Sequence, residues 1–256
     1  MNYLIINGDC LSILPKLKKE FFDLVFTSPP YWQLMEYGKL SGEFDNCSLH
    51  EYKNRLLKLT HMLSGLLKDT GLLVINIDRS RRVDGFIPFS GFEYISIARK
   101  AGFKLVDTII WRGALKRKIG SPRFLEHMYE PIMLFAKSDS YYFQKEALNS
   151  TGFLSDLWSI QHDDPYDKSG VATFPVSLAV NIIRICSPLS GNVLDPFLGS
   201  GTVIDAAVRT RRNCVGIEIN PDYCKKAYER CKSILHDGDT LYLRANGFLI
   251  DKLSVK

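Results

Sequence analysis

Short apolar runs of strand length alternate with helical segments along almost the whole chain. Several of these runs are apolar on both faces, as expected of strands in a parallel sheet that helices cover on both sides. The pattern therefore predicts an α/β fold with a doubly wound, mostly parallel sheet. The seven predicted strands lie at 3–7, 23–27, 72–77, 103–111, 131–136, 192–194 and 213–217.

Helical periodicity fills most of the intervals between the strands. The segment 49–67, for example, places Leu56, Leu59 and Leu63 on one face, which predicts an amphipathic helix packed on the sheet. No internal repeat breaks this order, so residues 1–256 are predicted to form a single domain. The predicted helices lie at 10–17, 49–67, 91–101, 176–187, 201–210 and 221–235.

Composition excludes several classes of protein. The chain is 46% hydrophobic and 24% charged, as in ordinary globular proteins, and no run approaches the ~18 apolar residues of a membrane span. The first ten residues lack the features of a signal peptide, so we expect a cytoplasmic protein with no membrane partner.

Cysteine and histidine spacing argues against a metal site. The six cysteines form no C-x-x-C pair, and the five histidines complete no metal-ligand spacing. We therefore expect no bound metal, and reduced cysteines in a cytoplasmic protein.

The net charge of +5 permits a polyanionic partner without requiring one. Basic residues cluster at 79–82, 112–123 and 209–212, and for each cluster solvated surface is an equally open interpretation. The middle cluster has no acidic residue and supplies the candidate nucleic-acid contacts: Arg112, Lys116, Arg117, Lys118 and Arg123.

A glycine-containing loop follows the predicted strand at 192–194. It lacks the lysine of a phosphate-binding P-loop, and Ile204 stands where a dinucleotide fingerprint needs its third glycine. S-adenosylmethionine is the third ligand class considered, because Asp195 suits a ligand with a positive charge nearby; a plain tight turn stays open. The candidate cofactor residues here are Asp195, Phe197, Gly199, Ser200, Gly201 and Thr202.

Two further acids follow predicted strands. Glu218 could accept hydrogen bonds from both hydroxyls of a ribose, and Asp9 could accept one from an adenine amino group. A surface glutamate and an ordinary turn aspartate are the alternatives.

The stretch Ser28-Pro29-Pro30-Tyr31-Trp32 follows the predicted strand at 23–27. Neither proline has an N–H to donate, so the pair cannot continue a central strand or lie inside a helix. A stiff turn that carries a hydroxyl and two aromatic rings indicates a site that holds a flat group.

Together these segments resemble the DNA methyltransferases that methylate N4 of cytosine or N6 of adenine with S-adenosylmethionine. The resemblance depends most on SPPY (28–31) and DPFLGSGT (195–202), with support from INGDCLSILPKL (6–17) and VGIEINPDYCKKAYER (215–230). The catalytic motif precedes the cofactor loop, as in the permuted beta arrangement of that family. The resemblance implies a Rossmann-like methyltransferase fold that brings both motifs to one cleft.

Residue roles are also implied by the resemblance. Ser28 and the Pro29 carbonyl would accept hydrogen bonds from the target amino group, with Pro30 stiffening the turn and Tyr31 stacking on a flipped-out base. Phe174 would contact the cofactor, although this chain has Ala172-Thr173 where relatives often have His-Pro. The candidate target-recognition elements are 33–47, 112–128 and 138–172.

Serine at position 28 favours cytosine N4 as the target, since adenine-specific relatives usually carry Asp there. Adenine N6 is the main alternative; a catalytically inactive nucleic-acid-binding module and protein or RNA methylation stay open. Carbon-5 methylation is disfavoured because no Pro-Cys dipeptide occurs. The resemblance implies a prokaryotic enzyme acting at the nucleoid on double-stranded DNA, with a homodimer and a cognate restriction endonuclease as further expected partners.

Overall fold

The computed structural model describes residues 1–33, 44–113, 125–161 and 174–245. Within these ranges, nine strands form a single sheet in the order β6-β4-β5-β3-β2-β7-β8-β1-β9. The strands are β1 Asn2–Asn7, β2 Phe22–Thr27, β3 Leu67–Asn76, β4 Lys104–Arg112, β5 Glu130–Ala136, β6 Leu157–Ser159, β7 Asn192–Asp195, β8 Asn213–Glu218 and β9 Thr240–Arg244.

The doubly wound α/β prediction is confirmed, but the predicted strand number of seven is wrong. The two additional strands, β6 and β9, form the two edges of the sheet. β6 has only three residues and β9 is partly exposed, so neither shows the continuous apolar run that identifies a buried strand. β5 pairs antiparallel with both neighbours, while every other pairing in the sheet is parallel.

Six α-helices cover the sheet in the described ranges, three on each face. Helices α1 to α3 pack in one apolar core and α4 to α6 in the other. None of these helices has the length and apolar content of a membrane span. They are α1 Cys10–Ile13, α2 Leu49–Leu66, α3 Tyr94–Lys100, α4 Val176–Cys186, α5 Thr202–Arg209 and α6 Pro221–Lys232.

Several predicted helices extend beyond the observed helix ends. The predicted segment 10–17 is α-helical only to Ile13 and continues as a 3-10 turn, Leu14–Lys16. α2 begins with a capping box between Ser48 and Glu51 and ends at Leu66. β3 then starts at once at Leu67, because this residue takes an extended backbone conformation.

The chain reverses direction across the sheet between β2 and β7. From β2 the chain proceeds outward to β3, and from β7 it proceeds outward to β8 on the opposite side. Such a switch point leaves a crevice at the carboxyl ends of the two strands, where open α/β sheets bind ligands. Ser28 and the loop after Asp195 both begin in this crevice.

Candidate active site

The two motifs meet at the carboxyl ends of β2 and β7. Thr27, the last residue of β2, donates from Oγ1 to Oδ1 of Asp195, the last residue of β7, at 2.6 Å. Both side chains are buried. This contact joins residues 168 apart in the sequence and brings the Ser28 turn beside the glycine loop, as the strand order requires.

A chain of hydroxyl contacts leads from Ser28 into the protein. Ser28 Oγ donates to Tyr31 Oη at 3.1 Å. The Tyr31 hydroxyl lies 3.0 Å from Glu130 Oε2 and 3.3 Å from Asn76 Oδ1, and it can donate its single proton to either acceptor. Because the Ser28 proton is directed at Tyr31, the lone pairs of Ser28 Oγ are available to accept another hydrogen bond.

Helix α2 and the segment before it hold the Ser28 turn in place. Tyr52 Oη donates to the Pro30 carbonyl at 2.9 Å, and Trp32 Nε1 donates to the Cys47 carbonyl at 2.9 Å. Trp32 is buried, so it walls the turn from behind. These contacts add to the stiffness that the two prolines already confer.

Tyr31 is only 4% exposed, and the contacts of its hydroxyl support an orienting role toward Ser28. Its stacking on a target base stays a prediction.

Glu130, Asp78 and His127 form a cluster of ionisable side chains next to Tyr31 that no sequence pattern indicated. Burial, and then the charge of Asp78, raise the pKa of Glu130 from 4.5 to about 7. His127 Nε2 lies 2.8 Å from both carboxylate oxygens of Asp78. Glu130 is the first residue of β5, and only the antiparallel direction of that strand brings a first residue to this edge.

The glycine loop is tied to Glu218 at the end of β8. Gly199 N–H donates to Glu218 Oε2 at 2.8 Å, and Asn220 N–H donates to Oε1 at 2.8 Å. Gly201 has φ of +93°, and a Cβ there would lie 2.8 Å from Ala227 Cβ, so the close approach of α6 requires glycine.

Two buried hydroxyls, one in this loop and one at the first residue of α5, are candidate ligand contacts. Ser200 Oγ and Thr202 Oγ1 are buried, and neither has a hydrogen-bond partner within the described ranges. Buried polar atoms are normally satisfied, so these atoms fit a polar ligand bound between the loop and α5.

Asp195 favours a cationic ligand in the same place. Burial raises its pKa from 3.8 to about 7, against the opposing effect of hydrogen bonds from Thr27 and from the Phe197 N–H. A positive charge nearby would stabilise the ionised carboxylate.

Asp9 caps α1, with Oδ1 accepting from Leu11 N–H at 3.2 Å and Oδ2 from Ser12 Oγ at 2.7 Å. The neighbouring Gly8 N–H donates to the Glu218 carbonyl at 2.9 Å, which places Asp9 at the same edge as Glu218. Each carboxylate oxygen therefore already accepts one hydrogen bond, and the predicted contact to an adenine stays a prediction.

Two phenylalanines of the predicted cofactor site pack on aromatic neighbours. Phe174 stacks on Phe26 of β2, with ring centroids 4.8 Å apart and an interplanar angle of 17°. Phe197 is half-buried and meets Phe44 edge-on at 5.1 Å. Both therefore line the apolar surroundings of the crevice.

The predicted DNA contacts are only partly described. Arg112 is exposed at the end of β4, whereas Lys116, Arg117, Lys118 and Arg123 lie outside the described residues. Residues 34–43, 114–124 and 162–172 of the predicted recognition elements also lie outside the described residues.

The basic cluster at 209–212 is structural. Arg209 pairs with Asp205, Arg211 pairs with Asp239, and Arg212 is buried with Nη2 donating to the Ser187 carbonyl.

The raised pKa of Glu130 predicts a pH dependence of stability. Between about pH 4.5 and 7 the folded chain keeps a proton on Glu130 that the unfolded chain has lost. The free energy of unfolding that this protonated group contributes is therefore fully present below about pH 4.5 and is lost as the pH rises to about 7. Glu130→Gln should lose less stability over this interval than the wild type, as measured by urea unfolding.

The pKa of Asp195 is also raised, so Asp195 likewise makes the fold less stable as the pH rises. Glu130→Gln should therefore retain part of the pH dependence of stability. The exposed Glu229→Gln is the control and should follow the wild type. Identical pH dependence in Glu130→Gln and the wild type would contradict the assignment.

Comparison with known proteins identifies the family. A family model described as DNA methylase matches residues 22–229. The type II methyltransferase M.SmaI of Serratia marcescens is 30% identical to this chain, over 88% of this chain and 89% of that protein.

Solved structures agree. A putative DNA modification methylase of Thermus thermophilus, in complex with S-adenosyl-L-methionine, superposes with a TM-score of 0.75 at 26% identity, covering 96% of this chain and 99% of its own. PvuII DNA methyltransferase (cytosine-N4-specific) has the same fold, with a TM-score of 0.75 at 21% identity. The alignment covers 94% of this chain and 89% of the PvuII enzyme. The extent of the family match and of these alignments shows that the chain belongs to the DNA methylase family.

Proposed function

We propose that this protein is a DNA methyltransferase that transfers a methyl group from S-adenosylmethionine to the N4 amino group of cytosine. The observation that carries the proposal is the meeting of the rigid Ser28 turn with the glycine loop at one switch point. One side of the crevice offers hydrogen-bond acceptors for an amino group, and the other offers a polar, acid-lined site for a cofactor.

The residues of the glycine loop fit S-adenosylmethionine, which supplies a methyl group on a positively charged sulfur. Glu218 would accept from the ribose hydroxyls, while Ser200 Oγ and Thr202 Oγ1, which lack partners within the described ranges, would hydrogen-bond polar groups of the cofactor. Asp195 would balance positive charge. The relative from Thermus thermophilus binds this cofactor, and membership of the same family supports its use here.

Ser28 and the Pro29 carbonyl would activate the amino group. The lone pair of an exocyclic amine is delocalised into the ring, and acceptors aimed at its two N–H bonds draw that pair back onto nitrogen. Ser28 Oγ can accept because its own proton is directed to Tyr31. The turn is preorganised by prolines and by Tyr52, so little reorganisation is needed in the transition state.

The same hydroxyl chain offers a route for the proton that the methylated nitrogen must release. The amine proton would pass to Ser28 Oγ, the Ser28 proton to Tyr31 Oη, and the Tyr31 proton to the Glu130 carboxylate. A pKa of about 7 suits Glu130 to accept this proton and later return it to solvent.

The choice of cytosine depends on Ser28. Adenine-specific members of the family usually carry Asp at this position, so serine favours cytosine. Methylation of adenine N6 is the alternative, because either side chain can accept a hydrogen bond from an amino group.

Removing the Tyr31 hydroxyl should slow catalysis without affecting the cofactor. In Tyr31→Phe, Ser28 loses its acceptor and Glu130 loses a donor, and a lost hydrogen bond to a charged group costs about 1.5–3 kcal/mol. We expect turnover to fall by about 10- to 100-fold, with unchanged affinity for S-adenosylmethionine in calorimetry.

The control is Tyr94→Phe, which removes another buried hydroxyl, 2.8 Å from Thr60 Oγ1. It should lower stability while leaving turnover within about twofold. Equal turnover in Tyr31→Phe and the wild type would remove this hydroxyl from the mechanism.

The proposed substrate is tested by transfer of a labelled methyl group. The protein is incubated with methyl-labelled S-adenosylmethionine and, in parallel, plasmid DNA, total RNA or a protein mixture. Label should enter DNA alone; label in RNA or protein would overturn the assignment to DNA. No binding of S-adenosylmethionine in calorimetry would instead support an inactive binding module.

A further inference from the structure

Residues 80–89 form a short β-hairpin directly after β3. Ser80 N–H donates to the Phe89 carbonyl at 2.9 Å, and Val83 and Phe86 exchange two backbone hydrogen bonds of 2.9 Å. The Val83–Phe86 pair is an isolated β-bridge, and the Ser80–Phe89 hydrogen bond closes the loop at its base. The two residues at the tip, Asp84 and Gly85, have φ of +50° and +87°, as in the type I′ turn that Asp-Gly favours in tight hairpins.

The hairpin is anchored beside the catalytic turn. Phe89 is buried and meets the ring of Tyr52 edge-on at 5.4 Å, and Tyr52 holds the Pro30 carbonyl. On the other strand, Ser80 lies four residues after Asn76, whose Oδ1 is 3.3 Å from the Tyr31 hydroxyl. Both ends of the hairpin are thus connected to residues that contact the Ser28 turn.

The tip combines an exposed aromatic ring with positive charge. Phe86 is 77% exposed, and single exposed apolar side chains are common on proteins. Here, however, the ring stands on a tight two-residue turn at the carboxyl edge of the sheet. Arg81 is exposed and Arg82 is partly exposed, with Nη1 donating to the Gly85 carbonyl. Asp84 is the one acid between Arg79 and Phe89.

We propose that the hairpin 80–89 is a DNA wedge. Arg81 and Arg82 contact phosphates, and Phe86 enters the base stack next to the target nucleotide. Apolar side chains inserted between base steps unstack them and kink the duplex, and unstacking is part of the cost of moving a base into an active site. This inference depends on the proposed function, since it concerns how the same site obtains its base.

The test compares Phe86→Ala with Leu189→Ala, which truncates another exposed apolar side chain, 69% exposed. Leu189 precedes β7 and so lies at the opposite edge of the sheet. Two duplexes carry the sequence that the wild-type protein methylates in a plasmid. One has the target base paired, and the other has it mismatched, which makes it easier to extrude.

On the paired duplex, Phe86→Ala should lower kcat/KM by about 10- to 100-fold, the equivalent of about 1–3 kcal/mol of base stacking. On the mismatched duplex the loss should shrink to a few-fold. Phe86→Trp, which restores a flat ring, should recover most of the activity on the paired duplex. Leu189→Ala should match the wild type on both.

Equal activity of Phe86→Ala and Leu189→Ala on the paired duplex would overturn the wedge while leaving the proposed function intact. An equal loss on both duplexes would also overturn it, because extrusion would not be the affected step. A wild-type protein that methylates no plasmid DNA would overturn the proposed function and the wedge together.

Discussion

Ser28→Ala is expected to lower turnover by about 10²–10³-fold, the effect of removing one preorganised group that stabilises charge in a transition state. Alanine cannot accept a hydrogen bond from the target amino group, and it also breaks the contact to Tyr31. Affinity for S-adenosylmethionine should stay within about twofold of the wild type. The measurement is single-turnover methylation with saturating cofactor, alongside calorimetry.

Ser233→Ala is the matched control, because it removes an exposed serine hydroxyl that donates to the Arg230 carbonyl, away from the crevice. It should methylate at the wild-type rate. Full single-turnover activity in Ser28→Ala would show that the amino group is activated by other residues.

Glu218→Ala is expected to weaken binding of S-adenosylmethionine by about 100-fold or more. Hydrogen bonds to a charged group contribute about 1.5–3 kcal/mol each, and two ribose hydroxyls would be affected. The variant also releases Gly199 N–H, which loosens the loop. Affinity for DNA should change little, since Glu218 lies on the cofactor side of the crevice.

A cofactor analogue without ribose hydroxyls separates the ribose contact from the effect on the loop. The wild type should bind this analogue weakly, whereas Glu218→Ala should bind the analogue and S-adenosylmethionine almost equally. The exposed Glu229→Ala should behave as the wild type with both. A Glu218→Ala variant that still discriminates between the two ligands would contradict the ribose role.

The central part of the site could be predicted from the sequence for a definite physical reason. Parallel strands place their carboxyl ends at one edge, so residues at or just after the ends of β2, β7 and β8 had to lie near one another. Ser28, Asp195 and Glu218 follow this rule. Gly201 was also a candidate from its place in the glycine loop, but its close approach to Ala227 of α6 depends on the fold.

The residues that support Tyr31 did not follow from that rule. Glu130 begins an antiparallel strand, so no pattern at its position indicates which edge it reaches. The hairpin at 80–89 was hidden because its strands are short and partly polar, although Asp84-Gly85 between Val83 and Phe86 is a known turn signal. β6 and β9 escaped because edge strands need no continuous apolar run.

The target base is the most direct test of the proposed mechanism. Plasmid DNA methylated by the protein with S-adenosylmethionine is digested to nucleosides, which are then separated and identified by mass. An acceptor set built on Ser28 and the Pro29 carbonyl predicts N4-methyldeoxycytidine as the new nucleoside, formed far more slowly when the plasmid is incubated with Ser28→Ala. Detection of N6-methyldeoxyadenosine instead would contradict the cytosine assignment. Detection of no methylated nucleoside would contradict the proposed activity.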